Sequence, residues 1–252
     1  MTTSGNTKHT RRTEILKELG LTPLWRTRGT NTPNRVPAVQ AEPGEKVSNN
    51  RVDAAEDRPS RILRMDWDPL KTSVEGCIAC PLCHSRSRTV FGVGDRNADW
   101  LYVGEGPGVQ EDATGEPFVG PAGKLLDNML AAIDLKRGRN VYITNIVKCR
   151  PPGNRNPTPD EAQQCEPYLA RQIELIKPKL IIALGRVAAQ NLLHTDATLA
   201  SLRGRLHEHS GIPVIVTYHP AYLLRTLQDK AKVWEDLCLA RSTMQRLLQS
   251  AI

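Results

Sequence analysis

No run of about 18 apolar residues occurs in the 252-residue chain, so no membrane span is expected. The N-terminus has no apolar export segment, which argues against a disulfide framework for the six cysteines and for a cytoplasmic protein. No internal repeat is present. The glycine run Gly104-Glu105-Gly106-Pro107-Gly108 lacks the G-x-G-x-x-G order of a dinucleotide site. Its Pro107 removes an amide that a pyrophosphate would use, and the next strand ends in Asn145 rather than in an acid for a ribose. Phenylalanine occurs only twice, so the placement of Phe118 in a Gly/Pro-rich loop, away from any core stripe, is informative.

What is present begins with charge. The formal +7 favours an anionic partner, but residues 1–62 carry +4 of it, and the remaining 190 residues contribute only +3. Net charge is thus a weak argument for nucleic acid, and local clusters are a stronger one. Residues 1–62 read as a tail of Thr, Asn, Pro, Arg and Glu without apolar periodicity. Within it, Ile15, Leu16 and Leu19 form one face of a short helix, with Leu21 and Trp25 just beyond. Such a segment is either a transient helix on a linker or a docking peptide for a partner protein.

Cys77, Cys80, Cys149 and Cys165 fall as C-x2-C, a gap of 68 residues, then C-x15-C. A close pair and a distant pair suggest four thiolates converging on one centre, either a structural zinc or an iron–sulfur cluster. Cys83 continues the even spacing of the first pair, and Cys238, in the last helical segment, reads as a packing residue.

From residue 63 onward strands alternate with helices. Leu101–Val103, Val141–Val147, Leu180–Leu184 and Val214–Thr217 are short apolar runs bounded by turn residues. Leu125, Leu126, Met129, Leu130 and Ile133 make a helical stripe after Pro121. Thr158-Pro159-Asp160-Glu161 is a capping box that starts a helix with Cys165, Leu169, Ile173 and Ile176 on its inward face. A last helix covers Ala231 to Leu248. The pattern predicts a three-layer α/β/α domain over residues 63–252, with a central, mostly parallel four-stranded sheet. Ligands of such sheets sit beyond the carboxyl ends of the strands, where this chain repeatedly places glycine, Asn145, Lys148 and His219.

Four segments carry a family resemblance: Gly104 to Gly108; Gly115-Glu116-Pro117-Phe118-Val119-Gly120; Lys148-Cys149-Arg150-Pro151-Pro152-Gly153-Asn154-Arg155; and His219-Pro220-Ala221-Tyr222-Leu223-Leu224-Arg225. In order and spacing they resemble the type-4, iron–sulfur uracil-DNA glycosylases, from about Cys77 to Leu237. The resemblance implies hydrolysis of the deoxyuridine N-glycosidic bond in DNA, which releases uracil and leaves an abasic site for base excision repair. It also implies one 4Fe-4S cluster on Cys77, Cys80, Cys149 and Cys165, with Cys83 a bystander, in a monomer. Gly106 stands where alanine is usual. Related DNA-crosslinking glycosylases carry an added basic, His-containing loop before the last motif. Gly211 to His219 leaves no room for one, so turnover is expected rather than a lasting adduct.

Residue chemistry is compatible with these roles. An asparagine at position 145 offers an acceptor and a donor to uracil N3–H and O4, the reverse of what cytosine requires; capping of a strand end is the competing reading. Phe118 stacks on a flipped base or packs its loop. His219, held extended by Pro220, matches the family's donor to the uracil oxygen that gains charge; a structural histidine is the competing reading. Glu105 positions the attacking water, offsets charge on the sugar, or is merely solvated. Gly104 and Gly106 complete the base pocket. Lys148, Arg150, Arg155 and Arg225 are expected on phosphates, an ordinary solvated loop being the alternative for the basic run, and Leu223 resembles the family's wedge that fills the vacated stack.

Overall fold

The computed structural model describes residues 57–250. Chain order runs α1 (Arg58–Leu63), α2 (Trp67–Glu75), β1 (Val93–Gly94), β2 (Trp100–Gly104), α3 (Val109–Thr114), α4 (Pro121–Ala131) and β3 (Val141–Asn145). It continues with α5 (Pro159–Ile176), β4 (Leu180–Leu184), α6 (Arg186–Leu193), α7 (Leu199–Leu202), β5 (Leu206–His209), β6 (Ile212–Thr217), α8 (Pro220–Leu223) and α9 (Lys230–Gln249).

The four expected strands form the parallel centre of the sheet, in the order β3-β2-β4-β6. Their apolar runs are continuous because both faces are covered by helices. Leu101, Val103, Ile181 and Val216 face one layer, with α1, α2, α5 and α6. Tyr102, Ile143, Ile182 and Ile215 face the other, with α4, α8 and α9. This is the three-layer arrangement that the alternation implied.

Strand number departs from expectation: the sheet has six strands. β1 adds antiparallel to β3 and β5 antiparallel to β6, one at each edge. β1 spans only two residues and β5 is the polar run Leu-His-Glu-His, so neither carries an apolar signal. β3 stops at Asn145; beyond it the Ile146 and Val147 amides donate to Gly104 O and Glu105 O at 2.9 and 3.2 Å. These two bonds lock the exits of β2 and β3 together.

The domain also begins earlier than residue 63. Ile62 is buried in the core, and Arg58 donates to Gln164 O at 3.0 Å. The expected helix face at Ile15, Leu16 and Leu19 lies outside the described residues. Among the described residues no helix is long and apolar enough to cross a membrane. Cys238 is exposed on α9, so it is not the packing residue that its helical setting suggested.

Candidate active site and cysteine centre

At the carboxyl edge of the sheet a cavity of about 570 Å³ gathers Glu105, Phe118, Asn145, Arg186, His219 and Arg225. The size suits a nucleobase with its sugar. Close backbone approach builds it. A Cβ on Gly104 would lie 2.4 Å from Asn145 Oδ1 and 2.5 Å from Phe118 Cζ, so only glycine lets the amide and the ring converge. Gly185, at φ 89°, sits where a Cβ would meet the His219 Cβ at 2.9 Å.

Asn145 is buried, and its Oδ1 has no hydrogen-bond partner among the described residues. An orphaned buried acceptor is costly unless a ligand completes it. Phe118 occupies the left-handed region at φ 56°. Arg137 holds it there, donating to Pro117 O at 2.9 Å and to Phe118 O at 2.8 Å. Backbone strain of this kind concentrates at functional sites. The Phe118 and His219 rings lie 5.5 Å apart, tilted by 31°.

His219 Nδ1 accepts from the Ala221 amide at 3.1 Å. That bond leaves the proton on Nε2, the donor atom of the neutral ring. Burial is the main reason the imidazole pKa drops to about 4; Arg225 lowers it further and Glu111 opposes. His219 is therefore a neutral donor at neutral pH. Glu105 titrates above the usual carboxylate range because it is buried, with Arg186 opposing.

Two contributors carried no role in the sequence reading. Glu111 accepts from Val119 N and Gly120 N through Oε1 (3.0 and 3.1 Å) and from Gly108 N through Oε2 (3.1 Å), stapling the first two motif loops. The G-to-G spacing of those loops hints at nothing of it, because a lone Glu on a short helix looks solvated. Arg186 opens α6 exposed at the cavity wall, and a strand-exit arginine after Gly185 was its only signal.

The expected DNA contacts are corrected in part. Lys148 is buried and cannot reach a phosphate. Its Nζ donates to Thr144 Oγ1 (2.7 Å), Asn145 O (2.8 Å) and Gln172 Oε1 (2.7 Å). Burial pulls its pKa down to about 8, with Cys165 and Cys149 opposing. Leu223 is also buried, in the core beneath α8, so it cannot wedge into DNA; Leu224, 45% exposed, is the apolar side chain presented at that turn. Arg155 faces the cavity but is held in a two-pronged pair with Glu161 (2.7 and 2.8 Å). Arg150 makes a single bond to Asn154 Oδ1 at 2.7 Å, and Arg225 is exposed at the cavity wall.

Behind this edge, Cys77, Cys80, Cys149 and Cys165 line one shared small cavity, together with Cys83, Arg86, Lys148 and Tyr168. Arg58 Nη2 donates to Cys77 Sγ (3.5 Å), Arg86 Nη1 to Cys149 Sγ (3.2 Å), and the Lys148 amide to Cys165 Sγ (3.3 Å). The Leu82 amide faces Cys80. Burial raises the thiols of Cys80 and Cys149 and pushes Cys165 up to about 12. Burial also acts on Cys77, but the Ala79 amide, Tyr168 and Arg58 outweigh it and the net shift is downward. No three His, Cys, Asp or Glu among the described residues lie close enough to hold a single ion.

Comparison with known proteins agrees with this geometry. The model of the uracil DNA glycosylase superfamily matches residues 91–238. A type-4 uracil-DNA glycosylase of Archaeoglobus fulgidus is 46% identical over 177 residues, 67% of this chain and 88% of that protein. One from Thermotoga maritima is 42% identical, covering 69% of this chain and 92% of its own length. A type-5 enzyme of Pyrobaculum aerophilum is 34% identical over 146 residues, 52% of this chain and 64% of that protein. The chain belongs to the uracil DNA glycosylase superfamily, with the type-4 uracil-DNA glycosylases.

Proposed function

We propose that this cavity takes a uracil extruded from DNA and cleaves its bond to deoxyribose, and that the cysteine centre holds a 4Fe-4S cluster. The chain is a hydrolase of N-glycosyl bonds that excises uracil from DNA in base excision repair. The observation that carries the base assignment is the orphaned Asn145 Oδ1 beside the neutral His219 donor. Uracil N3–H supplies the donor that Oδ1 lacks, and the amide NH2 meets O4. Cytosine has no proton on N3 and would leave Oδ1 unpaired. Phe118 stacks on the base.

As the C1′–N1 bond breaks, its electron pair leaves with uracil, and the charge spreads to O2. His219 Nε2–H is placed to stabilise that oxygen, a contribution of about 3–4 kcal/mol for a preorganised donor. A water oxygen then bonds to C1′, and its proton passes to Glu105 or to solvent. In its carboxylate form Glu105 also offsets the positive charge that develops on the sugar. Arg150, Arg186 and Arg225 meet the phosphates, and Leu224 enters the vacated stack.

The cysteine environment supports a cluster. Cys77, Cys149 and Cys165 each have an N–H donor at their sulfur. Cys77, Cys80, Cys149 and Cys165 line one shared space, the number and kind of ligand that a 4Fe-4S cluster takes. Hydrolysis transfers no electrons, so the cluster's contribution is to brace the loops carrying Asn145 and Arg150. A deoxyuridine oligonucleotide tests the reading: free uracil and an alkali-labile abasic site are expected. Tight binding without uracil release would leave a DNA-binding module instead.

A further inference from the structure

The chain has five tyrosines, and three of them, Tyr102, Tyr142 and Tyr168, are buried in the core. The other two are partly exposed and lie together in the last motif, Tyr218 directly after β6 and Tyr222 on α8. Their rings are stacked, with centroids 5.1 Å apart and planes 14° from parallel. Tyr222 lines the base cavity beside the exposed Arg225. Both rings are anchored to α9 and its N-cap. Arg203 Cζ lies 4.9 Å from the Tyr218 centroid, and the same guanidinium donates to Asp236 Oδ2 at 2.8 Å and to Lys232 O. Tyr222 Oη donates to Asp229 Oδ2 at 2.6 Å, and Lys232 Nζ pairs with Asp229 Oδ1 at 2.8 Å. Packing explains the anchors but not the exposure, because rings kept for the core are covered, as the other three are. A fixed pair of stacked rings with a cation beside it offers a base a π-face and a phosphate a charge, the composition of single-strand binding surfaces.

We propose that Tyr222, backed by Tyr218, is a platform for the base next to the extruded uracil, and that it serves single-stranded DNA. In a duplex that neighbour stays paired and stacked within the helix. In a single strand it is unpaired, and its face is open to the ring. Every base has a π-face, so the platform adds affinity without sequence preference. The two rings bracket His219 in sequence, so a strand held on them is held where the bond breaks. The inference rests on the uracil-excision reading given above and adds a second base site to it.

The test uses the full-length protein and a single-stranded oligonucleotide with one deoxyuridine, alone and in its duplex. Companion oligonucleotides replace the base on the 5′ or the 3′ side of uracil by a tetrahydrofuran abasic residue. Single-turnover uracil release against enzyme concentration gives a half-saturating concentration and a maximal rate for each pair. No release by the wild type from the intact strand would overturn the uracil reading and this inference together. With release established, loss of the flanking base on one side is expected to raise the half-saturating concentration about five- to a hundredfold on the single strand. Tyr222→Leu is expected to raise it by a similar factor on the intact strand and then to be indifferent to the missing base. On the duplex Tyr222→Leu should change little. Tyr222→Phe keeps the ring and should bind like the wild type, even where the lost bond to Asp229 lowers its melting temperature. Effects of Tyr222→Leu and of the missing base that simply multiply would reduce Tyr222 to a packing brace for the last motif. An equal loss on single strand and duplex, or Tyr222→Phe behaving like Tyr222→Leu, would do the same, with the uracil reading left standing.

Discussion

At the scale of the residue, the neutral ring of His219 separates chemistry from binding. In the proposed mechanism its Nε2–H acts on charge that exists only as the bond breaks, so His219→Ala should cut single-turnover uracil release about 10²- to 10³-fold with DNA affinity nearly unchanged. Arg150→Ala should do the reverse: weaker binding, a salt dependence shallower by about one counterion, and a near-normal saturated rate. Titrations and single-turnover rates on the same two proteins decide the matter. The pH profile follows from burial. With His219 held down to about 4, the rate should show no histidine limb near neutrality. The acid limb should belong to Glu105, above the ordinary carboxylate range, and should vanish in Glu105→Gln. Stability carries a separate sign. Because folding depresses the His219 pKa from 6.5 to about 4, an unfolded chain takes a proton there that the fold refuses. Stability from this group is complete above about pH 6.5 and is lost as pH falls toward 4, which acid unfolding of His219→Ala would show by a flatter slope. Leu223 and Leu224 make a further contrast. Leu223→Ala should cost about 2–5 kcal/mol of stability by opening the core, whereas Leu224→Ala should leave the melting temperature and weaken uracil release from duplex DNA most.

At the scale of the element, α1 and α5 show how short segments serve the centre. α5 starts at the reciprocal cap of Thr158 and Glu161 and carries Cys165 inward two turns later. The same Glu161 pairs with Arg155, which holds its carboxylate below the usual range and takes that arginine partly away from DNA. α1 lies at the other end of the site: Arg58 bridges Gln164 O on α5 and the Cys77 sulfur. Truncation should therefore have a sharp edge. Removing residues 1–56 should leave uracil release and iron content near wild type, because every site residue named above follows that segment. Starting the chain at residue 64 removes Arg58 and the buried Ile62, and should lower both iron retention and melting temperature. Equal behaviour of the two truncations would show that α1 is dispensable.

At the scale of the whole molecule, the cysteine centre joins segments remote in sequence. Cys77 and Cys80 follow α2, Cys149 follows β3, and Cys165 sits within α5. Replacing any one of the four by serine should lower iron per chain and thermal stability together, while Cys83→Ser should keep its iron. Loss of iron in Cys83→Ser with retention in Cys80→Ser would reassign the ligands. The proposed cluster would clasp the α1–α2 segment to the loop that carries Arg150, so stripping iron with a chelator should loosen DNA binding before it unfolds the sheet.

Much of this was legible in the chain alone. Apolar runs separated by helical stripes specify a parallel sheet because a strand covered on both faces needs apolar residues at every position. Glycines, Asn145 and His219 at the strand ends mark the site because ligands of such sheets bind there, and the motif order carried the family. Tertiary structure decided the rest. Lys148 and Arg150 read alike as basic loop residues, yet one is buried against neutral oxygens and the other is only half-buried. Leu223 and Leu224 are the same residue type in adjacent positions, and a single turn of α8 sends one to the core and the other to solvent. β1 and β5 pair at the sheet edges without an apolar signal of their own, because backbone hydrogen bonds to a neighbour suffice there. Residue type sets what a side chain can do; which way it faces depends on contacts between segments far apart in the chain, and those exist only once the sheet has formed.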